Sequence, residues 1–188
     1  MSTPQSSVTA HRSISARMSR RIRAATGKED ADLLIKNVQY LDVFRCQWVL
    51  GDLAIADGVC VGVESGLRAR RIIDGKNKFI VPGFVDAHVH VESSMMLPQV
   101  FDEVVLPRGT TTAICDPHEI ANVQGVRGIE YFLDASEDLR MNLKVMLSSC
   151  VPATHLETNG AGVIEASALL PFLKRKNTLG LAEMMNMP

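Results

Sequence analysis

No two of the four cysteines (Cys46, Cys60, Cys115 and Cys150) stand close enough for a Cys-x-x-Cys pair, and no signal peptide is expected. That usage fits reduced, mostly buried thiols in a cytoplasmic protein rather than a disulfide scaffold. No apolar run approaches the roughly 18 residues of a membrane span. Excess charge is missing as well. The net value is −1, so nothing global points to nucleic acid or an anionic membrane as partner. What is present is a globular composition, 46% apolar and 22% charged over 188 residues. Such a chain holds a sizeable core and makes one ordinary domain, or a small one plus part of another.

Acidic residues are absent from the first 28 positions, which carry Arg12, Arg17, Arg20, Arg21, Arg23 and Lys28 among six serines. The texture is that of an organelle transit peptide. The plainer alternative, adopted here, is a basic disordered tail over residues 1–28 that ends in a leader helix at 19–26, stopped by Gly27. Residues 29–81 change to short β-like runs at 33–38, 39–44, 48–55, 59–63, 71–73 and 78–81. Asp57-Gly58 and Asp74-Gly75 supply turn signals between them. This reads as part of a small β-sandwich, since about 50 residues is little for a free-standing one.

After Pro82-Gly83 the rhythm becomes strand–helix alternation through residue 188. Strands are predicted at 85–91, 110–115, 143–147 and 179–182, and helices at 99–106, 122–135 and 165–174. Alternation of this kind implies parallel strands. Polar clusters close each strand: His88/His90/Glu92, Asp116/His118/Glu119, Ser148/Ser149 and Glu183. A (β/α)8 barrel builds its active site on that face, whereas a doubly wound sheet collects ligands only near a switch point. Four successive strands contributing favour the barrel. A whole barrel needs about 250 residues, and 107 follow residue 81. The expected fold is therefore α/β: the N-terminal half of a (β/α)8 TIM-type barrel, preceded by part of a small β-sandwich domain.

The sharpest pattern is Val85-Asp-Ala-His-Val-His-Val-Glu92. Strict alternation puts Asp86, His88, His90 and Glu92 on one strand face. His88 and His90 lie roughly 6.6 Å apart along the strand, near enough to converge on one metal ion. A wet surface strand would satisfy the same parity, but its usual residues are Thr, Lys or Glu. Asp116, His118 and Glu119 have two readings. His118 and Glu119 could move a proton or polarise a substrate, or the three could cap the following helix. Glu92 either orients an imidazole or faces a substrate pocket together with Ser93, Ser94 and Asp116. Ser93, Ser94, Ser148 and Ser149 either line the pocket or are ordinary turn residues, the turn reading being preferred for Ser148 and Ser149, and His155 reads as exposed.

Gly51–Val63 (GDLAIADGVCVGV) and Gly75–His90 (GKNKFIVPGFVDAHVH) resemble the start of an amidohydrolase-superfamily enzyme. HVHVESSMM at 88–96, LPRGTTTAICDPHEIANVQG at 106–125, MLSSCVPAT at 146–154 and GLAEMMNMP at 180–188 resemble, more narrowly, the microbial adenine deaminase family. The resemblance runs from about Arg21 to the last residue. It implies hydrolysis of adenine to hypoxanthine and ammonia, as in purine salvage, by a homo-oligomeric full-length enzyme. The implied cofactor is a binuclear divalent centre of manganese or iron, with zinc an alternative, which lowers the pKa of a water that attacks the amino-bearing ring carbon. By position, His88 and His90 would be metal ligands and Glu183 the bridging one. The zinc base-deaminase signature, H-x-E with P-C-x-x-C, is absent. Further metal histidines and a proton-transferring aspartate, expected after later strands, have no counterpart here, so the isolated chain is expected to lack substantial activity. Two other readings are carried: a cyclic-amide hydrolase or amino-sugar deacetylase of the same superfamily, and an inactive fragment that associates with other chains through exposed sheet edges.

Overall fold

A computed structural model of the chain describes residues 14–185. The chain divides into two compact units, Met1–Pro82 and Gly83–Pro188.

The first unit opens on helix α1 (Ile14–Ala25), longer than the predicted leader helix. The basic tail before it lies outside the described residues. One arginine of α1 faces inward. Arg20 is 3% exposed and meets Asp32, Asp57 and Glu29. Five strands follow: β1 (Ala31–Asp42), β2 (Gln47–Ala56), β3 (Val59–Gly62), β4 (Ala69–Asp74) and β5 (Phe79–Ile80). The two runs predicted at 33–38 and 39–44 are one strand, β1, whose pairing with β2 shifts register between Ile35 and Val38. Asn37 sits at that break with φ of 55°, its amide held by Asp52 and its side chain by Asp74. Asn tolerates this left-handed conformation better than most residues. The sheet runs β3-β2-β1-β4, with β4 and β5 both parallel to β1. Leu34, Ala54, Ala56 and Leu67 pack with Ala24 of α1 to form its core.

The second unit holds four parallel strands: β6 (Phe84–Val89), β7 (Thr110–Cys115), β8 (Asn142–Leu147) and β9 (Thr178–Leu181). Their spatial order equals their sequence order. Every crossover therefore advances in one direction, as in a barrel wall, without the reversal that defines a doubly wound sheet. The unit is a partial (β/α) barrel. Helices α2 (Pro98–Val105), α3 (His118–Gln124), α4 (Val126–Ala135) and α5 (Ala166–Leu169) join the strands. Leu143, Val145 and Leu147 alternate on one face of β8, where Ile129, Phe132 and Leu133 of α4 belong to the same core. Burying one such side chain stabilises by about 1.5–3 kcal/mol. Buried Asp102 of α2 accepts the amides of Arg140 and Met141, which ties that helix to the head of β8.

Several boundaries depart from the sequence reading. Strand β6 stops at Val89, and a 3-10 turn over Val91–Ser94 lifts Glu92 off the strand face. The helix predicted at 122–135 is two helices, parted by Gly125 at φ 65° and ψ −145°. The helix predicted at 165–174 shortens to α5 and a 3-10 turn, Leu170–Phe172, at Pro171, which has no amide to donate. Cysteine burial is split: Cys115 and Cys150 are buried, Cys46 and Cys60 exposed. Among the described residues no helix is long and apolar enough to cross a membrane.

Candidate metal centre

The parallel strands all end on one side, and the polar residues predicted there come together. His88 lies in β6 and His90 just after it; Asp116 follows β7 directly, and Glu183 stands two residues beyond β9. One ligand atom from each of His88, His90, Asp116 and Glu183 falls within 4.8 Å of the others. The two imidazoles turn Nε2 toward Nε2 at 3.1 Å. Glu183 presents one oxygen to each ring, Oε2 to His88 at 3.6 Å and Oε1 to His90 at 3.4 Å.

The His90 ring is oriented from behind. Its Nδ1 stands 2.7 Å from the carbonyl oxygen of Asp116, and Glu119 Oε2 is 3.2 Å from the same nitrogen. A proton on Nδ1 is accepted by the Asp116 carbonyl and leaves the Nε2 lone pair for the centre, the usual way in which a metal-binding histidine has its tautomer set. Burial pulls the His90 pKa down, but Glu119, the Asp116 carbonyl, the Asp116 carboxylate and Glu183 outweigh it and the net shift is upward. The centre thus carries a field that favours positive charge. Two imidazole lone pairs and a carboxylate offering both oxygens form a donor set suited to a divalent cation.

Asp116 is fully buried and serves several neighbours. Its Oδ1 lies 2.6 Å from His118 Nδ1 and accepts the Ser148 hydroxyl at 3.4 Å, and its Oδ2 accepts the Glu183 amide at 3.3 Å. His118 is buried too, with Nε2 3.5 Å from Cys150 Sγ. Helix α3 begins at His118 itself, and none of its N-terminal amides is capped by the side chain of the residue before it. Glu119 lies at the rim and accepts the Ser93 hydroxyl at 2.5 Å. Glu92 Oε1 accepts the Ile120 amide at 3.1 Å, so its hydrogen bond goes to α3 and not to an imidazole. Burial raises the Glu92 pKa, and its second oxygen is buried without a partner. The Ser94 hydroxyl bonds back to the Val91 carbonyl within its own turn. Ser149 reaches the Glu183 carbonyl at 3.4 Å, and His155 is exposed.

Sequence reasoning missed two contributors. Ser148, read as a turn residue, is buried against Asp116. Cys150 was not singled out, yet it contacts both His118 and the Glu183 main chain. Their one signal was position, just past the C-terminal end of a barrel strand.

The model of the Amidohydrolase family matches residues 79–185, and the chain belongs to that family. Among curated relatives, it is 47% identical over 175 residues to adenine deaminase 1 of Agrobacterium fabrum, covering 93% of this chain and 30% of that protein. It is 52% identical over 162 residues to adenine deaminase of Cereibacter sphaeroides, covering 86% of this chain and 28% of that protein. It is thus similar to about a third or less of the length of each of these relatives. Among solved structures, atrazine chlorohydrolase from Arthrobacter aurescens complexed with zinc superimposes with a TM-score of 0.56 at 17% identity, over 79% of this chain and 46% of that one. At that identity the likeness concerns the fold.

Proposed function

We propose that this chain supplies the first metal ligands of an adenine deaminase, which hydrolyses adenine to hypoxanthine and ammonia. In that reaction a bond forms from water oxygen to the ring carbon and the exocyclic C–N bond breaks. The observation that carries the reading is the convergence of His88, His90 and Glu183 in a segment about half identical to adenine deaminases. His88 and His90 are the nitrogen ligands. Glu183, whose carboxylate stands beside both rings, would be the ligand shared between two ions, of which manganese or iron suits the mixed nitrogen–oxygen set and zinc is the alternative. Divalent ions there would supply Lewis acidity and a water acidic enough to serve as nucleophile near neutral pH.

The chain's own residues prepare that site. The Asp116 carbonyl holds the Nδ1 proton of His90. Glu119, steadied by Ser93, is the carboxylate beside His90 best placed to exchange a proton at the rim. Deamination belongs to the whole protein, since the chain matches 28% to 30% of these relatives' length.

Titrating the purified chain with Mn2+ by electron paramagnetic resonance tests the assignment. The wild-type chain is expected to bind, and His88→Ala and His90→Ala each to weaken binding at least tenfold with unchanged circular dichroism. Equal affinity in all three proteins would refute the ligand set. Adenine given to the chain alone should release no substantial ammonia.

A further inference from the structure

The main chain of Glu183 is gripped at both of its polar groups by one buried series of side chains. Its amide donates to Asp116 Oδ2 at 3.3 Å, and its carbonyl accepts from the Cys150 thiol at 3.3 Å and, at the exposed side, from the Ser149 hydroxyl at 3.4 Å. His118 joins those two ends, with Nδ1 2.6 Å from Asp116 Oδ1 and Nε2 3.5 Å from Cys150 Sγ. The Met185 amide donates to the same sulfur at 3.3 Å. Asp116, His118 and Cys150 are 0%, 4% and 7% exposed. Strand β9 has already ended at Leu181, and the last main-chain bond to β8 is from the Ala182 amide to the Leu147 carbonyl. Beyond that point no ladder aims Glu183.

The geometry points to His118 and Cys150 as positioning residues that set the Glu183 carboxylate through its main chain. His118 stands between Asp116 and Cys150, with Nδ1 close to the first and Nε2 beside the second, and at 4% exposure it is shielded from the open face of the centre. A buried carboxylate such as Asp116 keeps its orientation only while polar groups surround it: the Ser148 hydroxyl and the Glu183 amide donate to it, and His118 Nδ1 packs 2.6 Å from Oδ1. The thiol serves at the other end because sulfur bonds are long and one atom can accept from Met185 while donating to Glu183. Outer partners of this kind commonly contribute 10- to 100-fold to metal affinity. The inference rests on Glu183 being a ligand.

Two readouts on the 188-residue chain separate the inference from that premise. In metal-free protein, Cys150→Ala should speed amide exchange at Glu183 about tenfold, while Cys150→Ser, which keeps a donor and an acceptor, stays near wild type. The amides of Leu143 and Val145 in β8 should keep their protection and so exclude general unfolding. His118→Ala should match Cys150→Ala; if it unfolds the unit, the Cys150 pair decides. The second readout is Mn2+ affinity, expected to fall about tenfold in Cys150→Ala and to return in Cys150→Ser. Wild-type exchange and affinity in Cys150→Ala, or a serine variant as impaired as the alanine one, would overturn the inference. A wild-type chain that binds no Mn2+ would defeat the ligand assignment instead, and the exchange result would then decide the clamp alone.

Discussion

Replacing Arg20 with methionine should destabilise the first unit by about 3 kcal/mol. The guanidinium is 3% exposed and meets Asp32 through two bonds of 2.6 and 3.1 Å, Asp57 at 2.7 Å and Glu29 at 3.2 Å. Methionine fills a similar volume, so little cavity forms, and the loss is that of the cation. Removing one partner of a buried ion pair costs about 3–5 kcal/mol. Here Asp32, Asp57 and Glu29 retain 40%, 23% and 30% exposure, so water partly replaces Arg20 and the low end applies. The assay is urea unfolding followed by Trp48, the sole tryptophan, which lies in β2 of the same unit. The pH dependence gives a second check. The bond from Arg20 is the largest cause holding the Asp32 carboxyl below its ordinary range. A depressed carboxylate pKa stabilises the fold above the ordinary aspartate value, about 3.9, and that stabilisation is lost as pH falls through the folded value. Wild type should therefore lose stability faster than Arg20→Met below about pH 4. A variant within about 0.5 kcal/mol of wild type, or with the same acid profile, would refute the reasoning.

Gly83→Ala should destabilise the second unit by about 1–3 kcal/mol, because a Cβ there would fall 2.1 Å from Thr111 Oγ1 and 2.3 Å from its Cγ2. Thr111→Ala should restore only part of the loss, since the Thr111 Cβ would still lie at 2.7 Å; a urea midpoint by circular dichroism reads both, and an unchanged midpoint in Gly83→Ala would contradict the packing. With Ellman's reagent the folded chain should show two fast thiols, Cys46 and Cys60, since burial pushes the Cys115 thiol far up and Cys150 is 7% exposed. A third fast thiol without denaturant would count against the described burial.

Much of the fold could be read from local pattern, because strands and turns leave period-two and Gly-turn signatures in the chain. The alternation through His88 and His90, and Thr110–Cys115 as a strand, are of that kind. Boundaries failed where one residue's backbone state overruled periodicity: Asn37 keeps β1 a single strand through a register shift, and Gly125 splits one apolar stripe into two helices. Arg20 showed the opposite limit, since its partners Glu29, Asp32 and Asp57 lie outside its helix and no local pattern announces them.

The candidate centre divides in the same way. By itself the sequence determined which residues offer nitrogen and oxygen donors and that each stands at the C-terminal end of a strand, because residue chemistry and strand period are local properties. Only the tertiary structure decided that Glu183, 93 positions after His90, turns an oxygen to it at 3.4 Å. It alone placed Asp116 behind both, through one carbonyl and one carboxylate. Parallel strands in sequential order bring their C-terminal ends to one side, and the distances between those ends depend on register and packing, which no stretch of sequence contains.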